Sequence, residues 1–188
     1  MQDAAVLPFK LKKTVAMIGM MGAGKTAVGT ALAQNLGVAF LDSDTEIVTA
    51  ADRSIPEIFE RDGEAFFRDR EAEVIGRLLD GTPGILSTGG GAFLRAENRA
   101  HIGTKGVSVW LRADLDLLWQ RVKHRTTRPL LMTDNPRETL AKIQAERDPV
   151  YALADIAVDA NSSYSIEDMA DRVTEALLAR TDVLEKLP

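Results

Sequence analysis

The sequence predicts an α/β fold, a three-layer α/β/α arrangement around a central five-stranded parallel sheet. Three observations lead there. Short apolar runs alternate with helix-forming stretches along nearly the whole chain, as parallel strands joined by helical crossovers require. The chain's 188 residues suffice for one well-buried domain spanning 1–188, and a second domain is not expected. The composition, 45% apolar and 27% charged, is ordinary for a soluble globular protein.

Each element has its own signal. Thr14–Ile18 is an apolar run and reads as a buried strand. Ala27 to Leu36 is helix-forming and stops at Gly37, a C′ cap. Val38–Leu41 is a second strand, ending in Asp42-Ser43-Asp44, with a helix starting near Thr45. Glu64 to Leu79 is a helix that ends near Gly81. Gly84–Thr88 is a third strand and runs straight into Gly89-Gly90-Gly91; Val107–Leu111 is a fourth. Ala113 to Lys123 carries Leu115, Leu118, Trp119 and Val122 at helical spacing. His124 to Pro136 is polar and broken by prolines, hence a loop. The next helix runs to about Arg147. Asp148 precedes Pro149, which biases it out of the helix, so Asp148 as N-cap with Pro149 at N1 opens a new one. Asp155–Val158 is the fifth strand. Ser165 caps the last helix with Asp168 in a capping-box pattern. Residues 1–12 and 181–188 read as tails.

The bulk properties exclude several functions. There is no cysteine, so disulfides, thiolate catalysis and Cys-ligated zinc are ruled out. A net charge of −5 argues against a nucleic-acid binder that depends on a basic face, and requires local cations for any anionic ligand. His101 and His124 are too far apart in sequence for a metal constellation. Met1 to Lys13 lacks the apolar core of a signal peptide, and no apolar run reaches membrane-spanning length, so a cytoplasmic protein without a membrane partner is expected.

The strongest motif is Gly19-Met20-Met21-Gly22-Ala23-Gly24-Lys25-Thr26, which fits G-x-x-x-x-G-K-[ST] between a strand and a helix. In that setting backbone N–H groups and a helix N-terminus surround a polyphosphate. Lys25 brings a cation to the β/γ-phosphates, and the Thr26 hydroxyl can ligate Mg²⁺. In a parallel sheet, ligands bind at the carboxyl ends of the strands. Asp42/Asp44 and the triple glycine also follow strands, so they should meet the phosphate loop at one edge.

Asp42 and Asp44, one residue apart in extended backbone, would point the same way. One can hold Mg²⁺ through water while the other orients or deprotonates an acceptor hydroxyl; capping of the following helix is the plainer alternative. Arg68 and Glu71 share a helix face and can form a simple ion pair. The neighbouring phenylalanines can be core. Gly89-Gly90-Gly91 is either a mobile loop or bare backbone over which a substrate passes. Arg125 to Leu131 is either a solvated loop or a segment whose arginines close over phosphates. Arg147 is either a helix-end charge or a ligand contact.

Taken together, these residues resemble the shikimate kinase family. The resemblance rests on the phosphate loop, Asp42-Ser43-Asp44, Ser54-Ile55-Pro56-Glu57-Ile58-Phe59 and Gly63-Glu64-Ala65-Phe66-Phe67-Arg68. The triple glycine, Arg128-Pro129-Leu130-Leu131, and Arg147 with Tyr151 follow in order, over about residues 12–180. It implies a P-loop kinase fold with a lid at about 124–136, and ATP-dependent phosphorylation of the 3-hydroxyl of shikimate on the route to aromatic amino acids. ATP would be held by Gly22, Ala23, Gly24, Lys25, Thr26, Ala27 and Arg128, and Mg²⁺ by Thr26 and, through water, Asp42. The catalytic set implied is Lys25, Asp44 and Arg128. Shikimate would meet Asp44, Phe59, Phe67, Gly89, Gly90 and Gly91, with Arg68 and Arg147 on its carboxylate. Adenine would lie on Arg121 or Arg125 and near Asn161. The resemblance also suggests a monomer. Two rivals remain at this point: a gluconate or nucleoside monophosphate kinase of the same fold, and a nucleotide-binding regulator without catalysis.

Overall fold

The computed structural model describes residues 8–125 and 128–188. The chain runs β1 (Phe9–Leu11), β2 (Thr14–Ile18), α1 (Lys25–Leu36), β3 (Phe40–Asp42), α2 (Ser43–Ala51), α3 (Ile55–Asp62) and α4 (Glu64–Asp80). It continues through β4 (Ile85–Ser87), α5 (Ala96–Lys105), β5 (Gly106–Arg112), α6 (Leu115–Val122) and α7 (Pro136–Tyr151), then β6 (Ile156–Asp159), α8 (Ile166–Leu178) and β7 (Leu184–Lys186). Single 3-10 turns lie at Ala92–Leu94 and Pro129–Leu131.

Five parallel strands form one sheet in the order β3-β4-β2-β5-β6. All of β2 and all but the last residue of β5 are buried, because helices cover the sheet on both faces. α1 packs on β2, β3, β4 and α8, and α5 packs on β5 and α4. The chain leaves β2 towards β3 on one side and reaches β5 on the other. The crevice at the carboxyl end of β2 is therefore the topological switch point where a ligand is expected.

Local signals set the helix ends. Gly37 takes φ 65° and closes α1 with bonds to Ala33 and Gln34. Ser165 and Asp168 form the expected capping box of α8. Ser54 and Glu57 form a second box that opens α3, a helix the sequence analysis left out although its S-x-x-E spacing was present. α5 lacks a side-chain cap and had no comparable signal.

Four expectations need correction. Residues 1–12 and 181–188 are not simply tails, since β1 and β7 pair antiparallel, Phe9 opposite Lys186 and Leu11 opposite Leu184. Lys12 and Lys13 reinforce that ribbon by pairing with Glu185 and Asp182. α7 does not break at Asp148; it continues to Tyr151 with Pro149 inside. Pro149 gives up the N–H that would bond the Ala145 carbonyl, and the buried side chains of Leu140 and Tyr151 anchor the helix against that loss. Asp42 and Asp44 do not share extended backbone, since Asp42 ends β3 while Asp44 lies in the first turn of α2. Finally, of the expected lid, Thr126 and Thr127 lie outside the described residues, and Pro129–Leu131 is a 3-10 turn rather than loop throughout.

Candidate active site

The phosphate loop joins β2 to α1. Gly22 and Gly24 take φ of 81° and 98°, which an L side chain would strain, and a Cβ on Gly22 would come within 2.7 Å of Val122. With the loop so wound, the free N–H groups of the first turn of α1 face the cavity at the sheet edge. This cavity encloses about 720 Å³ and is lined along one wall by Gly22, Ala23, Gly24, Lys25, Thr26 and Ala27.

Cations crowd this end. Arg121, Arg125 and Arg128 line the same cavity. Among the described residues, the ion pairs made by arginine lie elsewhere, and neither Lys25 nor these three arginines has a carboxylate partner. Lys25 Nζ instead donates to the carbonyls of Gly19 (2.7 Å) and Met20 (3.0 Å). Arg121 Nη1 donates to the carbonyls of Gly22 (3.0 Å) and Ala23 (3.2 Å). Arg128 Nε is buried and has no partner among the described residues. Burial, reinforced by Arg128 and Arg147, lowers Lys25 to a pKa of about 8. Burial followed by Arg125 pulls Arg128 down as well. Such a cluster suits an anionic ligand, and a polyphosphate is one.

The other end of the cavity carries Asp42, Asp44, Gly89 and Gly90. Asp42 Oδ1 accepts from the Thr45 N–H at 2.9 Å, so Asp42 does cap α2; its second oxygen is left to the cavity. Burial first, then the Asp42 charge, raises Asp44 above the usual carboxylate range.

The triple glycine is where the distant segments meet. A Cβ on Gly89 would sit 3.2 Å from Asp44 Oδ1 and 3.3 Å from Glu71 Oε2. On Gly90 it would meet Arg147 Nη1 at 2.9 Å, and on Gly91 Arg68 Nη2 at 2.5 Å. Glycine is needed here for room, not for positive φ: two carboxylates and two guanidinium groups close on the loop from α2, α4 and α7. Arg68 is held by Glu71 Oε1 at 2.8 Å and sits 5.2 Å from the Phe67 ring centroid.

Of the site residues expected from the sequence, Gly22 to Ala27, Asp42, Asp44, Gly89, Gly90, Arg121, Arg125 and Arg128 line the cavity. Arg68, Arg147 and Gly91 are not among the lining residues, but the two guanidinium groups close on Gly90 and Gly91 at the cavity's edge. Phe67 is only 3% exposed, packed with Ile47 and Ile58 in a small second core, and its ring lies 4.8 Å from that of Phe59. It supports Phe59, which stays partly exposed, more than it offers a face of its own.

Sequence reasoning missed three residues. Glu71 is 1% exposed, with Oε2 unpartnered beside Asp44; its spacing from Arg68 was visible, its burial was not. Burial also raises its pKa above the usual carboxylate range. Tyr164 and Ile166, at the start of α8, line the cavity near Arg121 and Arg125, where Asn161 was expected.

Three comparisons bear on this arrangement. The family model described as "Shikimate kinase" matches residues 21–178. A shikimate kinase of Cereibacter sphaeroides is 61% identical over 98% of this chain and 92% of its own length. One of Ruegeria pomeroyi is 65% identical over 93% of this chain and 90% of its own. Among solved structures, the shikimate kinase from Acinetobacter baumannii in complex with shikimate superposes with a TM-score of 0.84 at 38% identity, covering 90% of this chain and 94% of that one.

Proposed function

The chain belongs to the shikimate kinase family, and on that footing we propose how its residues carry the reaction, ATP-dependent phosphorylation of the 3-hydroxyl of shikimate. The observation that carries the reading is the cavity's division. Cations without a carboxylate partner among the described residues surround a phosphate loop at one end, and carboxylates and guanidinium groups converge on three glycines at the other.

ATP lies along the loop from Gly22 to Ala27, its phosphates against Lys25 and Arg128. Its base points towards Arg121, Tyr164 and Ile166, the part of the lining farthest in sequence from the carboxylates. Mg²⁺ suits the donors on hand, since the Thr26 hydroxyl and the second oxygen of Asp42 are hard oxygen ligands without protein partners among the described residues. When bound, the ion offsets charge on the polyphosphate. Shikimate sits over Gly89, Gly90 and Gly91 with its carboxylate between Arg68 and Arg147 and its ring against Phe59.

Transfer forms a bond between the acceptor oxygen and the γ-phosphorus and breaks the bond to the ADP oxygen, while the acceptor hydroxyl gives its proton to Asp44. A raised pKa makes Asp44 a better proton acceptor than an ordinary surface carboxylate. In a loose transition state that proton moves late, so Asp44 first orients the hydroxyl. Lys25 and Arg128 stabilise charge on the transferring group. The segment at 124–136 acts as the lid, and Arg128 becomes fully enclosed as it closes. One chain supplies all of these groups, which supports a monomer. Among the described residues no helix is long and apolar enough to cross a membrane, and we place the enzyme in the cytoplasm.

The test is ADP release by the purified protein with Mg-ATP and shikimate, gluconate or a nucleoside monophosphate in parallel. Release that depends on shikimate alone is expected. Turnover with gluconate or a nucleotide instead would keep the phosphate end and overturn the acceptor assignment.

A further inference from the structure

Tyr151 ends α7 and is wholly buried, its ring 6.1 Å from that of Trp110. It does not line the cavity, whereas Gly90 does. Its hydroxyl donates to the Gly90 carbonyl at 2.6 Å. It therefore acts on the glycine loop from behind.

The rest of the loop shows why this bond matters. The Gly89 carbonyl is held by the Ala92 N–H at 3.1 Å and the Gly91 carbonyl by the Leu94 N–H at 3.2 Å. The Gly90 carbonyl is held by the tyrosine. The peptide between Gly90 and Gly91 has no Cβ on either side, so rotation of its plane meets little steric resistance. No cis peptide occurs among the described residues, and in a planar trans peptide the C=O and N–H point opposite ways. Fixing the Gly90 carbonyl on Tyr151 thus aims the Gly91 N–H away from α7. Gly91 is buried, yet among the described residues its N–H has no acceptor. Buried backbone donors are rarely left so. The two guanidinium groups assigned to the acceptor flank this same peptide, Arg147 at Gly90 and Arg68 at Gly91.

We propose that Tyr151 is a positioning residue for the phosphoryl acceptor. Its hydroxyl sets the plane of the Gly90–Gly91 peptide, which presents the Gly91 N–H as a hydrogen-bond donor to an oxygen of the bound substrate between Arg68 and Arg147. The inference rests on the acceptor site proposed above. Burial pushes the phenol above its ordinary pKa, so the hydroxyl keeps the proton it donates through the neutral range.

Tyr151→Phe removes the hydrogen bond to the Gly90 carbonyl, together with the hydroxyl's contact with Arg147, and keeps the ring against Trp110. The expected result is a shikimate KM raised roughly 5- to 20-fold, with the KM for ATP unchanged within about 2-fold and kcat within about 3-fold. A merely structural tyrosine would move both KM values with the melting temperature, and that outcome overturns the proposal, as does an unchanged shikimate KM. The second measurement needs no turnover. The Gly91 amide resonance of ¹⁵N-labelled, substrate-free protein should shift or broaden in Tyr151→Phe, and an unchanged resonance overturns the proposal even if KM rises. Failure of the acceptor assignment reads differently: wild-type protein would then show no shikimate-dependent ADP release.

Discussion

At the proposed nucleotide end of the cavity the working groups come mainly from one contiguous stretch, Gly19 to Thr26, and among the described residues the cations around it have no carboxylate partners. At the proposed acceptor end they come from α2, α4, the turn after β4 and α7, and segments far apart in sequence hold one another, the Arg68 guanidinium on Glu71 and the Gly90 carbonyl on Tyr151. The difference follows from what each end must recognise. A polyphosphate carries several charges on freely rotating oxygens, so local positive charge and backbone donors suffice. A small rigid acid with several hydroxyls must be turned so that one hydroxyl faces phosphorus, and that requires fixed directions as well as charge.

The largest effect is expected where the two ends act on the same atom. Lys25→Ala should lower kcat by roughly 10²- to 10³-fold, the loss that follows removal of one group stabilising transition-state charge, while the far-ultraviolet circular dichroism stays native. Near-normal turnover would take the phosphate loop out of the mechanism and erase the division drawn here. Asp44→Asn should come next, about 10²-fold in kcat with much smaller changes in both KM values. If it raised only the KM for shikimate, Asp44 would belong to binding and not to transfer.

Arg68→Ala separates the ends more cleanly. It should raise the KM for shikimate by roughly 10- to 100-fold and leave that for ATP within about 2-fold, because a charge-assisted contact is lost at one end alone. Gly91→Ala probes the same contact from the backbone side. Its added methyl would meet the Arg68 guanidinium at 2.5 Å and displace it, so a rise in the shikimate KM of about 10-fold is expected although no charge is removed. Equal shifts in both KM values, for either variant, would mean that the two ends are not separately built.

The same contrast explains what the sequence could reveal. The phosphate loop was legible because its geometry depends on neighbours in the chain: Gly24, Lys25 and Thr26 act through a local loop and a helix start. The sheet was legible for a related reason, since a strand such as β2, buried on both faces, is apolar at every position. The acceptor site is made of contacts between segments far apart. Glu71 looks like a surface ion-pair partner until burial places it beside Asp44, and Tyr151 is 61 positions from the carbonyl it holds. Asp44 and the triple glycine are legible from their places after strands, whereas Arg68 and Phe59 gain a ligand role only through resemblance to a family. The pairing of β1 with β7 is equally non-local, and three-residue strands leave little pattern to read. α7 deceived for the opposite reason: the Asp148-Pro149 signal is genuine local chemistry, overridden by packing of Tyr151.

The smallest effect, and the sharpest for the nucleotide end, is in protons. Without nucleotide Lys25 titrates near 8, depressed first by burial and then by Arg128 and Arg147, against an ordinary value of 10.5. Below about pH 8 it is charged both folded and unfolded, and the cost of burying that charge is fully present. Between about 8 and 10.5 the unfolded chain holds a proton that the folded one has released, so stability rises with pH across that window and levels off above it. Bound ATP reverses the local balance, because the polyphosphate favours the ammonium and raises its pKa. Binding at pH 8 should therefore take up about half a proton, and affinity for ATP should fall as pH rises further. Titration calorimetry in two buffers of different ionisation enthalpy measures the uptake directly. Lys25→Met should abolish both the uptake and the rise in stability. Equal heats in the two buffers for the wild-type protein would mean that its lysine is already compensated, and the nucleotide end would then be no less preorganised than the acceptor end.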